Sequence, residues 1–447
     1  MRGPCETSLH NITNRKKLTG DLPRWMRLGA GCAVLLAVLG AVPVRAQIQQ
    51  PVDVLHWWTS SSERRAAEQL SASLSGVGVH WTDAAIPGGG GMAAVKVLKS
   101  LVLMGDPPDV AQLIGTTLTE WADGELVLPL NRVANHMQWP RILFPTVMEL
   151  VSYKGRVIAA PLGIHRINTL LYNRRLFAKI SMAPPRDWAE FELAAQKLSA
   201  IGVRPLAWSD EAWQVATVFE SVLLGESGPA LYNELIVQRK SSAWMQPAVA
   251  RALWRLRWLR SVSTDAPAER GWTDAARELM NDSAAMMIMG DWARGELQAW
   301  GASAQTDFGC VVVPGTDNMH LYSVDTLAML VNARHRVATQ EKVAETIVGM
   351  PSQLAYNRVK GSVPVRRDLS AAALNAMDSC ARNSWEAFAA SGVARVPSLA
   401  HRMAADEATK DAVAQTLWRY VTDPHTDITD TQRRLATVIR APNPENR

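Results

Sequence analysis

Three apolar runs, AAMMIM at 284–289, CVVV at 310–313 and TLAMLV at 326–331, the last opening on a threonine, constrain this chain more than any other feature. A strand with water on one face alternates apolar and polar residues, so a strand that is apolar throughout has both faces covered. Helices must therefore lie above and below it. The sequence supplies them: a helix is expected over 63–74, and FELAAQKLSAIG sets Phe191, Ala194, Leu198 and Ile201 on one face. SDEAWQVATVFESVLLG offers Asp210 as N-cap, Val215, Val218, Phe219 and Val222 as a stripe, and Gly225 as the stop. With further strands read at 52–56 and 156–161, the alternation predicts an α/β fold with helices on both faces of the sheet. A length of 447 residues is too great for one core, so two domains are expected.

Residues 1–46 read as an export leader. Arg15, Lys16, Lys17, Arg24 and Arg27 precede an apolar run at 28–42, and the small residues Val44 and Ala46 stand where a signal peptidase reads. Cleavage is expected after Ala46, with release into the periplasm, because a run of about 15 residues is short for a membrane span. The leader holds seven of the 47 Lys and Arg and two of the 42 Asp and Glu, so the remainder balances at 40 against 40. The basic character belongs to the leader, and no nucleic-acid partner follows. Beyond it remain Cys310 and Cys380, for which one disulfide is expected in an oxidising compartment.

Motifs for catalysis and metal binding are missing: there is no HExxH, no G-x-S-x-G and no paired-cysteine metal spacing. The glycine run 88–91 lacks the Lys-Ser/Thr ending of a phosphate loop and reads as a flexible turn before the helix MAAVKVLKSLV. What stands out is tryptophan. HWWTSSSE at 56–63 puts two indoles at a strand-to-helix corner, and neighbouring strand residues point to opposite faces, so one core cannot bury both Trp57 and Trp58. Trp208, Trp213, Trp272 and Trp292 add to this set in expected loops. An indole face matches the C–H face of a pyranose ring, which makes an aromatic cleft with a few polar groups a candidate sugar site.

These stretches, with GDPPDVAQ, APLGIHRINTLLYN, GWTDA, MIMGDWARGE, VVPGTDN, YSVDTLAM, KGSVPVRRDL and PSLAHRMA in the same order, resemble the extracellular solute-binding proteins of bacterial ABC sugar importers, and among them the periplasmic glucose-type binding proteins. The resemblance runs from about residue 51 to about residue 420. It implies a type II-like periplasmic binding protein fold, two lobes joined by hinge strands with the cleft between. Lobe 1 is expected to comprise 47–163 and 306–350, and lobe 2 to comprise 164–305 and 351–447. It further implies a monomer without a cofactor that is not an enzyme, closing on a monosaccharide of glucose type and docking on the transmembrane subunits of an ABC permease with its cytoplasmic ATPase. A binding protein for another solute, or a sensing input to a membrane partner, is the alternative. A hydrolase built on Glu63 and Asp325 ranks behind both.

Carried over motif by motif, Trp57 and Trp58 take the ring-stacking position, Glu63 accepts from hydroxyls, Asp325 is a hydroxyl-binding carboxylate, Lys360 a donor and His401 a contact. Trp272 and Trp292 would form the opposite wall; His165 and Arg166 lie near the expected lobe crossing, to serve hinge or site, with Arg166 expected among the substrate contacts. The chain departs from the pattern where Ile114 replaces a lysine, Thr169 and Leu171 replace tryptophans, and Val215 replaces an aspartate. Losing a charged donor to a buried hydroxyl costs about 1.5–3 kcal/mol, so these departures leave open a sugar with different hydroxyl stereochemistry, a deoxy or modified sugar, or weak binding.

Overall fold

A computed structural model describes residues 50–88, 91–263 and 270–439. The expected leader, its cleavage point, and Gly89 and Gly90 of the glycine run lie outside these residues. The strands, in chain order, are β1 (Gln50–His56), β2 (Val79–Ala85), β3 (Val110–Gln112), β4 (Ser152–Tyr153), β5 (Arg156–Val157), β6 (Ala160–Arg166), β7 (Thr169–Asn173), β8 (Arg204–Leu206), β9 (Ala284–Met289), β10 (Phe308–Val312), β11 (Met319–Met329) and β12 (Ala394–Pro397). One sheet runs β12-β11-β3-β1-β2, with β6 also on β11, and a second runs β10-β7-β9-β8. The apolar run AAMMIM is β9, buried at every position as its composition requires. Several helices begin at a side chain that accepts from a first-turn N–H, among them Asn173, Asp187, Asp378 and Asp406.

Each sheet carries its own hydrophobic core. The first gathers Val52, Val54, Trp58, Leu70, Ile164, Val324, Tyr356 and Phe388. The second gathers Ile167, Leu171, Val215, Met287, Leu321 and Tyr420. Core membership thus changes between Ile164 and Ile167, between Leu321 and Val324, and between Phe388 and Val396. The sequence placed these changes at 163/164, 305/306 and 350/351. Core membership changes later than this in each case: Ile164 still belongs to the first core, β10 pairs with β7 with Cys310 opposite Leu171, and the helix Met350–Lys360 buries Tyr356 against Trp58.

Two local expectations also change. The helix Ala212–Tyr232 is capped at Glu211 rather than Asp210 and runs through Gly225, with its irregularity at Gly228. Gly225 permits close approach rather than termination: a Cβ there would lie 2.8 Å from the carbonyl oxygen of Pro314. The stretch 156–161 divides between β5 and β6.

The disulfide Cys310–Cys380, with Cα atoms 5.8 Å apart, joins β10 of the second sheet to the helix Ser379–Ala389, whose Ala381, Trp385 and Phe388 belong to the first core. It is a covalent tie between lobes. Replacing both cysteines by serine should lower the unfolding free energy by roughly 2–4 kcal/mol. Urea unfolding of the oxidised wild type against the double variant measures this, and coincident midpoints would show that the tie contributes nothing.

Candidate ligand-binding cleft

Strands β6 and β11 run antiparallel where the chain passes between cores, with Ser323 opposite His165 and Asp325 opposite Gly163. They form the floor of a cavity of about 330 Å³. Trp57, Glu63, Ile114 and Lys360 line it from the first lobe, and Glu211, Trp213, Trp272, Trp292 and His401 from the second. The structure therefore brings together all the expected contact residues except Trp58 and Arg166.

Each exception directly follows a residue that lines the cleft, Trp57 just past the end of β1 and His165 on β6, and its own side chain turns away. Trp57 faces the cavity, whereas Trp58 is fully buried in the first core, its ring 4.8 Å from His56 and 5.7 Å from Tyr356. On β6, His165 lines the cleft and Arg166 points elsewhere, donating to the carbonyl of Met319 at 2.9 Å and lining a separate cavity beside the disulfide. Burial presses the Arg166 guanidinium down to about 10. Of the departures from the family pattern, Ile114 alone lines the cleft; Val215 and Leu171 are core, and Thr169 donates to the Arg166 carbonyl at 3.2 Å.

The polar groups of the floor are linked. His165 lies 2.6 Å through Nδ1 from Asp291 and 3.2 Å through Nε2 from Asp325. Burial opposes its charge, but the two carboxylates outweigh burial and hold its pKa above the usual histidine value. Burial would likewise raise Asp325; hydrogen bonding and charge from His165, the charge of Lys360 and the Tyr356 hydroxyl at 3.1 Å keep it well below the carboxylate range. Gln112 donates to its other oxygen at 3.2 Å. Lys360 donates to Glu63 Oε1 at 3.1 Å, while Glu63 Oε2 accepts from the backbone of Thr59 and Ser60 and so caps the helix Ser61–Ser75.

On the second lobe, burial pushes the His401 imidazole down to about 3, which keeps it neutral, and its ring sits 4.9 Å from that of Trp292. Its loop is held by Glu220, which accepts from Ser398 Oγ at 2.6 Å and from the N–H groups of Leu399 and Ala400 at 2.9 and 3.2 Å. Burial outweighs those bonds and lifts the Glu220 carboxyl to about 7. Trp57 is backed by the Arg402 guanidinium, 5.0 Å from its ring centroid, and by Gly91, where a Cβ would lie 2.6 Å from the indole. The glycine run thus ends under the Trp57 indole; nothing in its spacing signalled that.

Sequence reasoning missed Thr59, Ser60, Glu211, Ser323 and Arg402, all of which line the cavity. Arg402 adjoins His401 in PSLAHRMA, so the motif could have flagged it. A larger space of about 920 Å³, lined among others by Gln298, Leu354, Arg358 and Met377, contains no aromatic side chain. Its buried charge Arg294 is paired with Asp378, so it offers no comparable recognition surface.

One contact joins the lobes directly beside the cleft. Glu296, on the helix Trp292–Ala299 that roots Ala293 and Leu297 in the second core, accepts from Ser61 N at 3.1 Å, Ser62 N at 2.8 Å and Ser62 Oγ at 2.8 Å. The first N–H groups of a helix have no partner within it, and its N-terminus favours negative charge. Burial would raise the Glu296 pKa, yet the Ser62 bonds hold it below the usual glutamate value. A carboxylate of one lobe thus completes a helix of the other. Glu296→Ala should weaken this joined arrangement by about 1–2 kcal/mol. Small-angle scattering of the unliganded variant should show a larger radius of gyration than wild type, and an identical curve would exclude a latching role.

Comparisons with known proteins agree with this architecture. The family of bacterial extracellular solute-binding proteins matches residues 74–346. A probable sugar-binding periplasmic protein of Brucella melitensis biotype 1 is 32% identical over 393 residues, 88% of this chain and 92% of that one. Among solved structures, the bacterial solute receptor AcbH, described as exclusive for β-D-galactopyranose, aligns with a TM-score of 0.73 at 18% identity, over 88% of this chain and 98% of its own. A chitin oligosaccharide binding protein aligns with a TM-score of 0.72 at 18% identity, over 88% and 99%. The chain belongs to the bacterial extracellular solute-binding proteins. It has the two-lobed fold of these receptors and is a binding protein rather than an enzyme.

Proposed function

We propose that this chain is the periplasmic receptor of an ABC importer and that it binds a monosaccharide in the cleft between its lobes. The observation that carries the reading is the apposition of Trp57 from one lobe with Trp213, Trp272 and Trp292 from the other around a cavity whose floor presents Asp325 and Lys360. Indole faces take the C–H surface of a pyranose, and the linked polar groups take its hydroxyls. A volume of about 330 Å³ stands at the low end of small-molecule pockets, roughly 300–1,000 Å³, which favours one ring over a chain of them. The sugar-binding name of the Brucella relative supports the class of ligand and the compartment. Ligand contacts from both lobes would favour the closed form, which would then present the sugar to the permease subunits.

The hexose is drawn from glucose and its relatives. Ile114 on the wall supplies no hydrogen bond, so the best ligand has an apolar edge or a missing hydroxyl there. Calorimetric titration with glucose, galactose, mannose and their deoxy forms should give saturable one-to-one binding without product formation. The absence of binding by every sugar would reject the receptor reading.

The two neighbouring tryptophans separate binding from folding. Trp57→Ala should weaken sugar binding by roughly 1–3 kcal/mol with a modest effect on stability. Trp58→Ala should instead cost about 3–5 kcal/mol of stability through the cavity it leaves in the first core. Titration and urea unfolding of both variants test the division, and equal sugar affinity in wild type and Trp57→Ala would remove Trp57 from the site.

A further inference from the structure

Charge narrows the ligand class further, on the basis of the sugar-receptor reading. The lysine, the arginine and His165 that line the cleft each already face a carboxylate of the protein. Lys360 lies 3.1 Å from Glu63, His165 sits between Asp291 and Asp325, and Arg402 is paired with Glu407 at 2.8 Å. Ile114 adds no charge to the wall. Glu211 has a different environment. Its Oε2 accepts from the backbone N–H of Trp272 at 3.0 Å and from Ser209 Oγ at 3.4 Å. Among the described residues no Lys, Arg or His forms an ion pair with it, and no hydrogen bond ends on its Oε1. This carboxylate shares the cavity wall with Trp213 and Trp272, and indole faces attract cations.

We infer that the cleft selects a sugar bearing a protonated amino group, with the ammonium held by Glu211 beside the indoles of Trp213 and Trp272 and the pyranose face on Trp57. Such a ligand supplies the one cation that the wall lacks and forms a charge-assisted hydrogen bond to the unused Oε1. A sugar acid would meet no unspent cation and would bring a second negative charge to Glu211. A neutral hexose would offer Glu211 only a hydroxyl.

The test compares three epimeric sets by titration calorimetry of the full mature chain at about pH 6.5, where an amine of this kind is protonated. Glucosamine, galactosamine and mannosamine are each set against the parent hexose and the N-acetyl form, which keeps the nitrogen and removes the charge. At least one amino sugar should bind about tenfold or more tighter than both of its neutral counterparts. Glu211→Gln, whose amide oxygen still accepts from Trp272 N–H, should reduce that ratio to about threefold or less. Thermal unfolding of the variant checks that it is folded, and N-acetyl and parent sugars report on the cleft independently of the charge. Hexoses that bind as tightly as their amines, a sugar acid such as glucuronate that binds tighter than glucose, or a preference unchanged in Glu211→Gln would overturn the inference while leaving the sugar receptor in place. No response to any of these sugars would overturn both.

Discussion

The lobes meet at a buried histidine held between two carboxylates. His165 lies on a strand that passes from one core to the other, and its two ring nitrogens face Asp291 on one side and Asp325 on the other. A charge pair taken out of water is stable only when its remaining lone pairs and protons are satisfied. The surrounding residues meet that condition: Gln112 and Tyr356 donate to Asp325, and Asp291 accepts the backbone N–H of Arg166 at 2.9 Å. Much of the polar composition at the crossing is explained by this requirement. Because the same carboxylate forms the cleft floor, the joint between the lobes and the ligand surface share their atoms.

This sharing sets how the cleft presents itself. Its polar side chains are held in position by protein contacts before any solute arrives, Lys360 by Glu63, His401 by its loop on Glu220, and Glu63 by the helix it caps. Side chains already fixed lose little rotamer freedom on binding, so less of the contact energy is spent on ordering them. The tryptophans add area with few torsions to freeze. Recognition here rests on prior order more than on the number of contacts.

Much of this was readable in the sequence, and the failures have identifiable causes. AAMMIM read as a strand covered on both faces because a run of six apolar residues is of strand rather than helix length. HWWTSSSE declared that one indole must leave the core, but the pleat alone does not say which; Trp58 went inward because Tyr356, some three hundred residues away, completes its packing. Arg166 was misplaced for the same reason, one residue along a strand from His165 and on the other face. Gly225 looked like a helix end because its purpose, clearance for the Pro314 carbonyl, is a tertiary contact. Where core membership changes after residue 305 depends on pairing between β10 and β7, which no local pattern encodes. Local chemistry was legible, and partnership across the chain was not.

The interleaving of the two cores bears on how the molecule is made. The first core is complete only when Phe388 is in place, and the second only with Ile439, although their first contributors are Val52 and Ile167. Neither lobe is a continuous piece of chain. Contacts of such long sequence separation form slowly, because loop closure must precede the gain from packing. A growing or truncated chain therefore holds strands without their partners until its last fifth is present. The binding surface, assembled from both lobes and both crossings, is among the last features that such a chain can complete.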